Sequence, residues 1–164
     1  QKKLHQNPDY RSEGLLYVPL VIHLVHQYNV KSISNYGAGN SILQKKIIDL
    51  GLSNIKYYPY DPEFHDYGDI TPADLVCCLN VLEHVEPIYL KSVLQDLSRI
   101  TKKIGLFTIH TGPSKNHLSN NRKTYLIQKP SSWWIPKLCE HFEIIELDST
   151  ATRFWVVVEP RAKS

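Results

Sequence analysis

Asp74-Leu75-Val76-Cys77-Cys78-Leu79-Asn80 carries five apolar residues in unbroken succession. A run without alternation marks a strand buried on both faces, the kind found near the middle of a parallel sheet. Side chains alternate across a strand, so Cys77 and Cys78 are expected on opposite faces of it. Upstream, Ile55 to Tyr60 is aromatic and strand-like and is stopped by Asp61-Pro62. Before it, Leu43, Ile47, Ile48 and Leu50 set a helical stripe that Gly51 can end. Val30 to Tyr36 reads as a short strand running into Gly37-Ala38-Gly39. Over Leu15 to Tyr28, Leu15, Val18, Ile22 and Val25 recur at helical spacing.

Downstream of the central run, Pro87 suits a helix's first turn, and Leu90, Val93, Leu94, Leu97 and Ile100 follow as its buried face. Ile104 to Thr111 is another strand. The polar stretch from Gly112 to Thr124 has no periodicity and is the longest loop candidate. A helix over about Trp134 to His141 leads to two strands, Phe142 to Leu147 and Arg153 to Glu159, joined by an Asp148-Ser149-Thr150 turn. The closing pair reads as an antiparallel hairpin at one edge. Alternating elements of this kind make an α/β fold, a mostly parallel twisted sheet with helices on both faces.

The chain has 164 residues, 42% hydrophobic and 21% charged, which fits one globular domain with a real core. Residues 1–164 are therefore taken as a single domain, with residues 1–14 as an N-terminal arm. A net charge of +3 and a pI near 8.7 lean basic without the clustered excess of a dedicated nucleic-acid binder. Three cysteines do not make a disulfide framework, and no Cys/His pair has zinc spacing, so no metal site is expected. No apolar stretch approaches the roughly 20 residues that span a bilayer. No membrane association is expected, and a reducing cytoplasm is the default location.

The chemistry gathers at strand ends. Tyr36-Gly37-Ala38-Gly39 puts bare backbone at the carboxyl edge of the sheet, where ligands of open α/β folds bind. Asp61, 24 residues beyond Gly37, stands at about the offset from which an acidic side chain accepts the hydroxyls of a ribose. Together they suggest an adenosine-containing cofactor, although two glycines alone make only a turn. A nicotinamide dinucleotide is disfavoured, because its fingerprint wants a third glycine where Ile42 stands.

Three blocks carry a family resemblance: Ser34-Asn35-Tyr36-Gly37-Ala38-Gly39-Asn40-Ser41, then Tyr60-Asp61-Pro62, then Asp74 to Val85 with its Asn80-Val81-Leu82-Glu83-His84 end. They resemble the successive motifs of class I S-adenosylmethionine (SAM)-dependent methyltransferases, over about Leu16 to Glu159. The resemblance implies a Rossmann-like fold with SAM as cofactor. Tyr36, Gly37, Ala38 and Gly39 would line its methionine part, and Asp61, with Pro62 beside it, would hold its ribose. Asn80 and Val81 would flank the sulfonium, with Glu83 on the same rim. His84 and His110 are candidate catalytic residues. Their bland readings are a helix N-terminal turn and a strand-end histidine bonded to its loop.

His117, Asn121 and Arg122 are candidate substrate contacts, with Arg122 suited to a carboxylate or phosphate and solvated loop charge as the plain alternative. Trp133-Trp134 either walls the substrate side or packs on the sheet. The methyl acceptor is unidentified, with a small molecule favoured over nucleic acid, and an oligomer is allowed. Family members usually carry an acidic residue where Asn35 stands and often a glycine where Ser41 stands. The span from Asp61 to Asp74 is also too short for the helix, strand and helix of a full-length member. Two other readings stand beside the favoured one: a catalytically inactive SAM-fold interaction protein, and a nucleic-acid-modifying methyltransferase.

Overall fold

The computed structural model describes residues 16–39, 41–112 and 125–161. The arm expected over residues 1–14 lies outside them, as do His117, Asn121 and Arg122. In chain order the elements are α1 (Val18–Gln27), β1 (Ser32–Tyr36), α2 (Ile42–Asp49), β2 (Lys56–Tyr60), β3 (Ala73–Leu79), α3 (Leu90–Ile100), β4 (Thr101–His110), α4 (Ser131–Cys139), β5 (Phe142–Ser149) and β6 (Arg153–Pro160). The six strands form one sheet in the order β2-β1-β3-β4-β6-β5. β2, β1, β3 and β4 run parallel, while β6 is antiparallel to both β4 and β5. The fold is therefore the Rossmann-like α/β arrangement that the resemblance implies, closed by a C-terminal hairpin.

Two apolar layers hold the helices to the sheet. Leu90, Leu94, Leu97 and Ile100 of α3, with Trp134 and Leu138 of α4, pack on Val76, Cys78, Phe107, Val156 and Val158. On the other face, Val18, Val21, Leu24 and Val25 of α1, with Leu43 and Ile47 of α2, pack on Ile33, Leu75, Cys77, Leu106 and Val157. Each such side chain contributes roughly 1.5–3 kcal/mol on burial, so four residues at helical spacing are enough to fix α3. Trp134 is fully buried in this packing, and Trp133 lies half-buried against it with the Lys137 ammonium over its ring.

Several boundaries differ from the expectation. Ile48 and Leu50 are half-exposed, so α2 rests on the sheet through Leu43 and Ile47 alone. The hairpin turn falls at residues 150–152, because Asp148 and Ser149 are still paired with Trp155 and Phe154. The last helix begins at Ser131, preceded by Pro130, and ends at Cys139. Between Asp61 and Asp74 the chain forms only one short helical turn, His65–Tyr67. That leaves β2 as an edge strand among the described residues, a position that tolerates Pro59.

The central strand behaves as its composition demands. Cys77 and Cys78 are fully buried and face opposite apolar layers. Burial pushes the Cys77 thiol up to about 12 and the Cys78 thiol well above its ordinary value. Neither thiolate forms at neutral pH, so a maleimide added to the native protein is expected to label half-buried Cys139 alone. Cys77 and Cys78 should react only through global unfolding, with a rate that climbs with denaturant; rapid labelling of all three, read by intact mass, would contradict the central placement.

Candidate active site

The chain leaves β1 for β2 on one side and returns past β1 to β3 on the other. The strand order thus reverses between β1 and β3, and their carboxyl ends open the crevice where such sheets take ligands. At this point the backbone turns through Gly37 and Gly39, with φ of +83° and +53°. The Gly37 and Ala38 N–H groups both donate to the Tyr60 carbonyl, at 2.7 and 2.9 Å. Asp61 Oδ2 accepts from the Gly39 N–H at 3.0 Å, and Oδ1 accepts from the Glu63 N–H at 2.9 Å. The glycine turn and the end of β2 are therefore one hydrogen-bonded unit. Pro62 follows at its exposed rim.

Tyr67, from the short turn after β2, adds a fastening that the sequence reading missed. Its hydroxyl donates to the Gly39 carbonyl at 2.7 Å and lies 2.9 Å from Ser41 Oγ. Ser41 thus uses its hydroxyl where a glycine would offer none, and it takes the left-handed conformation itself, at φ +60°. Across the crevice, a Cβ placed on Gly37 would lie 2.3 Å from Val81 Cγ2. Val81 therefore seats directly against the bare backbone of the turn. Asn80, at φ +57°, turns toward β4: its N–H donates to the Thr108 carbonyl and hydroxyl oxygen, and its Oδ1 accepts from that hydroxyl at 3.1 Å. Tyr36 lies buried with its ring 4.9 Å from that of Tyr60, and burial raises its hydroxyl pKa above the usual range.

Asn35 is buried on β1 and donates through Nδ2 to the Tyr57 hydroxyl. Burial keeps Tyr57 protonated, its pKa raised despite the opposing effect of that bond. A neutral amide is the side chain that suits this dry, uncharged environment, since a carboxylate there would carry a desolvation penalty.

A second group forms at the ends of β3 and β4. Glu83 is fully buried and accepts the His110 N–H on Oε2. Its own carbonyl accepts from the Leu126 and Ile127 N–H groups at 2.9 and 3.0 Å. Tyr125 brings the two candidate histidines together, its ring centroid 5.1 Å from that of His84 and 5.0 Å from that of His110. Tyr125 closes the polar stretch in sequence, and nothing in its local pattern marks it. Among the described residues, no three His, Cys, Asp or Glu side chains are grouped to hold a metal, and no helix is long and apolar enough to cross a membrane.

No protein-family model and no curated protein matches this sequence. Solved structures do match. The PH0226 protein of Pyrococcus horikoshii OT3 is 13% identical, with a TM-score of 0.67 over 95% of this chain and 93% of that one. Magnesium protoporphyrin IX methyltransferase from Synechocystis PCC 6803, solved with bound S-adenosylhomocysteine (SAH), is 13% identical, with a TM-score of 0.61 over 98% and 92%. The N-methyltransferase NodS from Bradyrhizobium japonicum WM9, also with SAH, is 12% identical, with a TM-score of 0.56 over 98% and 91%. The fold is that of the class I SAM-dependent methyltransferases.

Proposed function

We propose that this chain is a single-domain SAM-dependent methyltransferase whose acceptor is a small molecule. The reading is supported above all by Asp61, held at the end of β2 against the glycine turn at the point where the strand order reverses. An ionised carboxylate offers about four lone-pair sites. Asp61 spends one on each oxygen in bonding Gly39 and Glu63, which leaves capacity for two ribose hydroxyls. The residues fit the cofactor: Tyr36 to Gly39 would line its methionine part, Asp61 and Pro62 would hold its ribose, and Asn80 and Val81 would flank the sulfur, with Glu83 on the same rim.

Bound SAM supplies a methyl group on an already activated leaving group. What remains for the protein is positioning, which can supply much of the rate in such a displacement. His110 and His84, both in ring contact with Tyr125, would take a proton from an acceptor oxygen or nitrogen. Titration calorimetry with SAM and with SAH tests the reading, and no heat with either would overturn it. A binding-only role is the second reading, favoured by the neutral Asn35–Tyr57 pair in place of a charge facing the cofactor's ammonium group.

Asp61→Ala is expected to weaken SAH binding at least roughly 10-fold, the effect of losing one charge-assisted hydrogen bond, and more than about 100-fold where two are lost. Asp61→Asn should fall between the two, because the amide oxygen still accepts one bond. An unchanged dissociation constant for Asp61→Ala would remove this residue from the site.

A further inference from the structure

Tyr67 closes a ring of hydrogen bonds around the end of β2. Asp61 Oδ2 accepts the Gly39 N–H at 3.0 Å, and the Gly39 carbonyl accepts the Tyr67 hydroxyl at 2.7 Å. The return path from Tyr67 to Asp61 is itself bonded. The Tyr67 N–H donates to the Phe64 carbonyl and the Phe64 N–H to the Asp61 carbonyl, each at 3.0 Å. The Phe64 and Tyr67 rings stack with centroids 5.4 Å apart and planes 14° from parallel, which sets the direction of the hydroxyl. One short passage thus grips Gly39 from both sides, its N–H through Asp61 and its carbonyl through Tyr67.

The grip falls where the backbone leaves its ordinary range. Gly39 lies at φ +53° and Ser41 at φ +60°. This left-handed region is open to glycine but penalised for a serine. Ser41 stands at the start of α2, yet its side chain makes no capping bond to that helix. Its hydroxyl lies 2.9 Å from that of Tyr67 instead. The single Tyr67 hydroxyl proton goes to the Gly39 carbonyl, so at the second contact Ser41 donates and Tyr67 accepts. One phenolic oxygen therefore steadies both left-handed residues. With its proton spent on Gly39, Tyr67 acts through the turn and not as a donor to a ligand.

We propose that Tyr67 is a positioning residue for the cofactor: its hydroxyl fixes the backbone at Gly39 and Ser41 and, through the Gly39 N–H, aims the Asp61 carboxylate before the cofactor arrives. The role rests on the methyltransferase reading above. A carboxylate aimed by the chain itself has little order left to acquire, so less of the binding free energy is lost to ordering. The bond from the Glu63 N–H to the other Asp61 oxygen does not substitute for Tyr67, because it stays within the β2 end and does not reach the glycine turn.

Tyr67→Phe keeps the ring and its stack on Phe64 and removes only the hydroxyl, at a half-buried position where folding is not at stake. Calorimetry on the full chain is expected to show SAH binding weakened about 3- to 10-fold, the effect of one hydrogen bond of ordinary strength. Amide hydrogen exchange followed by NMR supplies a readout that a merely structural tyrosine would not move. Without SAH, protection of the Gly39 amide should fall about 3- to 10-fold in Tyr67→Phe, while amides within β3 keep theirs. At saturating SAH the Gly39 amide should regain protection. An unchanged SAH dissociation constant, or a Gly39 amide that exchanges as in the parent, would overturn the role. Loss of protection shared equally by Gly39 and β3 would do the same, since it marks a general change in stability. No heat with SAH from the parent would instead overturn the methyltransferase reading and the cofactor role with it, and the Gly39 exchange alone would then decide whether Tyr67 holds the turn.

Discussion

Gly37→Ala is expected to destabilise the folded protein by about 2–5 kcal/mol, from two separable sources. The backbone at Gly37 lies in the left-handed region, φ +83°, where an L-residue is penalised by roughly 1–2 kcal/mol. The added methyl would also meet Val81 Cγ2 at 2.3 Å and Cγ1 at 3.3 Å. Overpacking of that kind typically costs about 1–3 kcal/mol. Urea denaturation should show a lowered midpoint with an unchanged slope. Val81→Ala removes the obstacle but not the strain, so the double variant should recover the packing part alone, a coupling of roughly 0.5–3 kcal/mol. SAH affinity should fall in the single variant and recover partly in the double, since the turn must hold its course to keep Gly39 on Asp61. Additive effects of the two substitutions would show that Val81 does not seat on the glycine turn.

The elements that the sequence makes legible are those with one dominant local signal. The unbroken run at Leu75 to Leu79, too short for a buried helix and bounded by Asp74 and Asn80, points to a strand buried on both faces, and β3 occupies that place. Likewise the stripe of Leu90, Leu94, Leu97 and Ile100 points to a single helix face. In α2, apolar residues lie on more than one side of a helix only eight residues long. Periodicity cannot choose the buried arc there, and Ile48 and Leu50 face outward. The hairpin turn is displaced because the register of β5 and β6 shifts between Ile144 and Glu146, so β5 continues through Ser149. An irregularity of this kind has no signature in the residues themselves.

The same distinction divides the site. Asp61 and the glycine turn are read from a spacing along the chain, and the structure brings them within hydrogen-bonding distance. Tyr67 and Tyr125 become visible only once distant segments meet. The first depends on the shortened passage after β2, the second on the convergence of the β3 and β4 ends with the segment entering α4. Glu83 belongs with them: an acid after a strand reads as a helix N-terminal residue or a cofactor contact, whereas its carboxylate is directed to a β4 backbone amide.

Glu83→Ala is therefore expected to act on the frame of the acceptor side, destabilising the protein by about 2–4 kcal/mol. The hydrogen bond from His110 N–H contributes about 0.5–1.5 kcal/mol, and its loss also leaves an unmatched donor in a largely dry environment, at about 1–3 kcal/mol. Glu83→Gln keeps an acceptor oxygen and should recover a good part of that loss. Amide hydrogen exchange separates the two functions of this residue. The side chain bonds His110, whereas the Leu126 and Ile127 amides bond the Glu83 backbone carbonyl. If Glu83 pins both strand end and returning segment, all three amides should lose protection together in Glu83→Ala, beyond the change in global stability. Loss at His110 alone would confine the side chain to β4. SAH affinity provides the independent measure, because Asp61 and the glycine turn lie across β3 from this group. It is expected to stay within about twofold of the parent in Glu83→Gln. A tenfold loss there, with stability unchanged, would instead place the carboxylate among the cofactor contacts and overturn its positioning role.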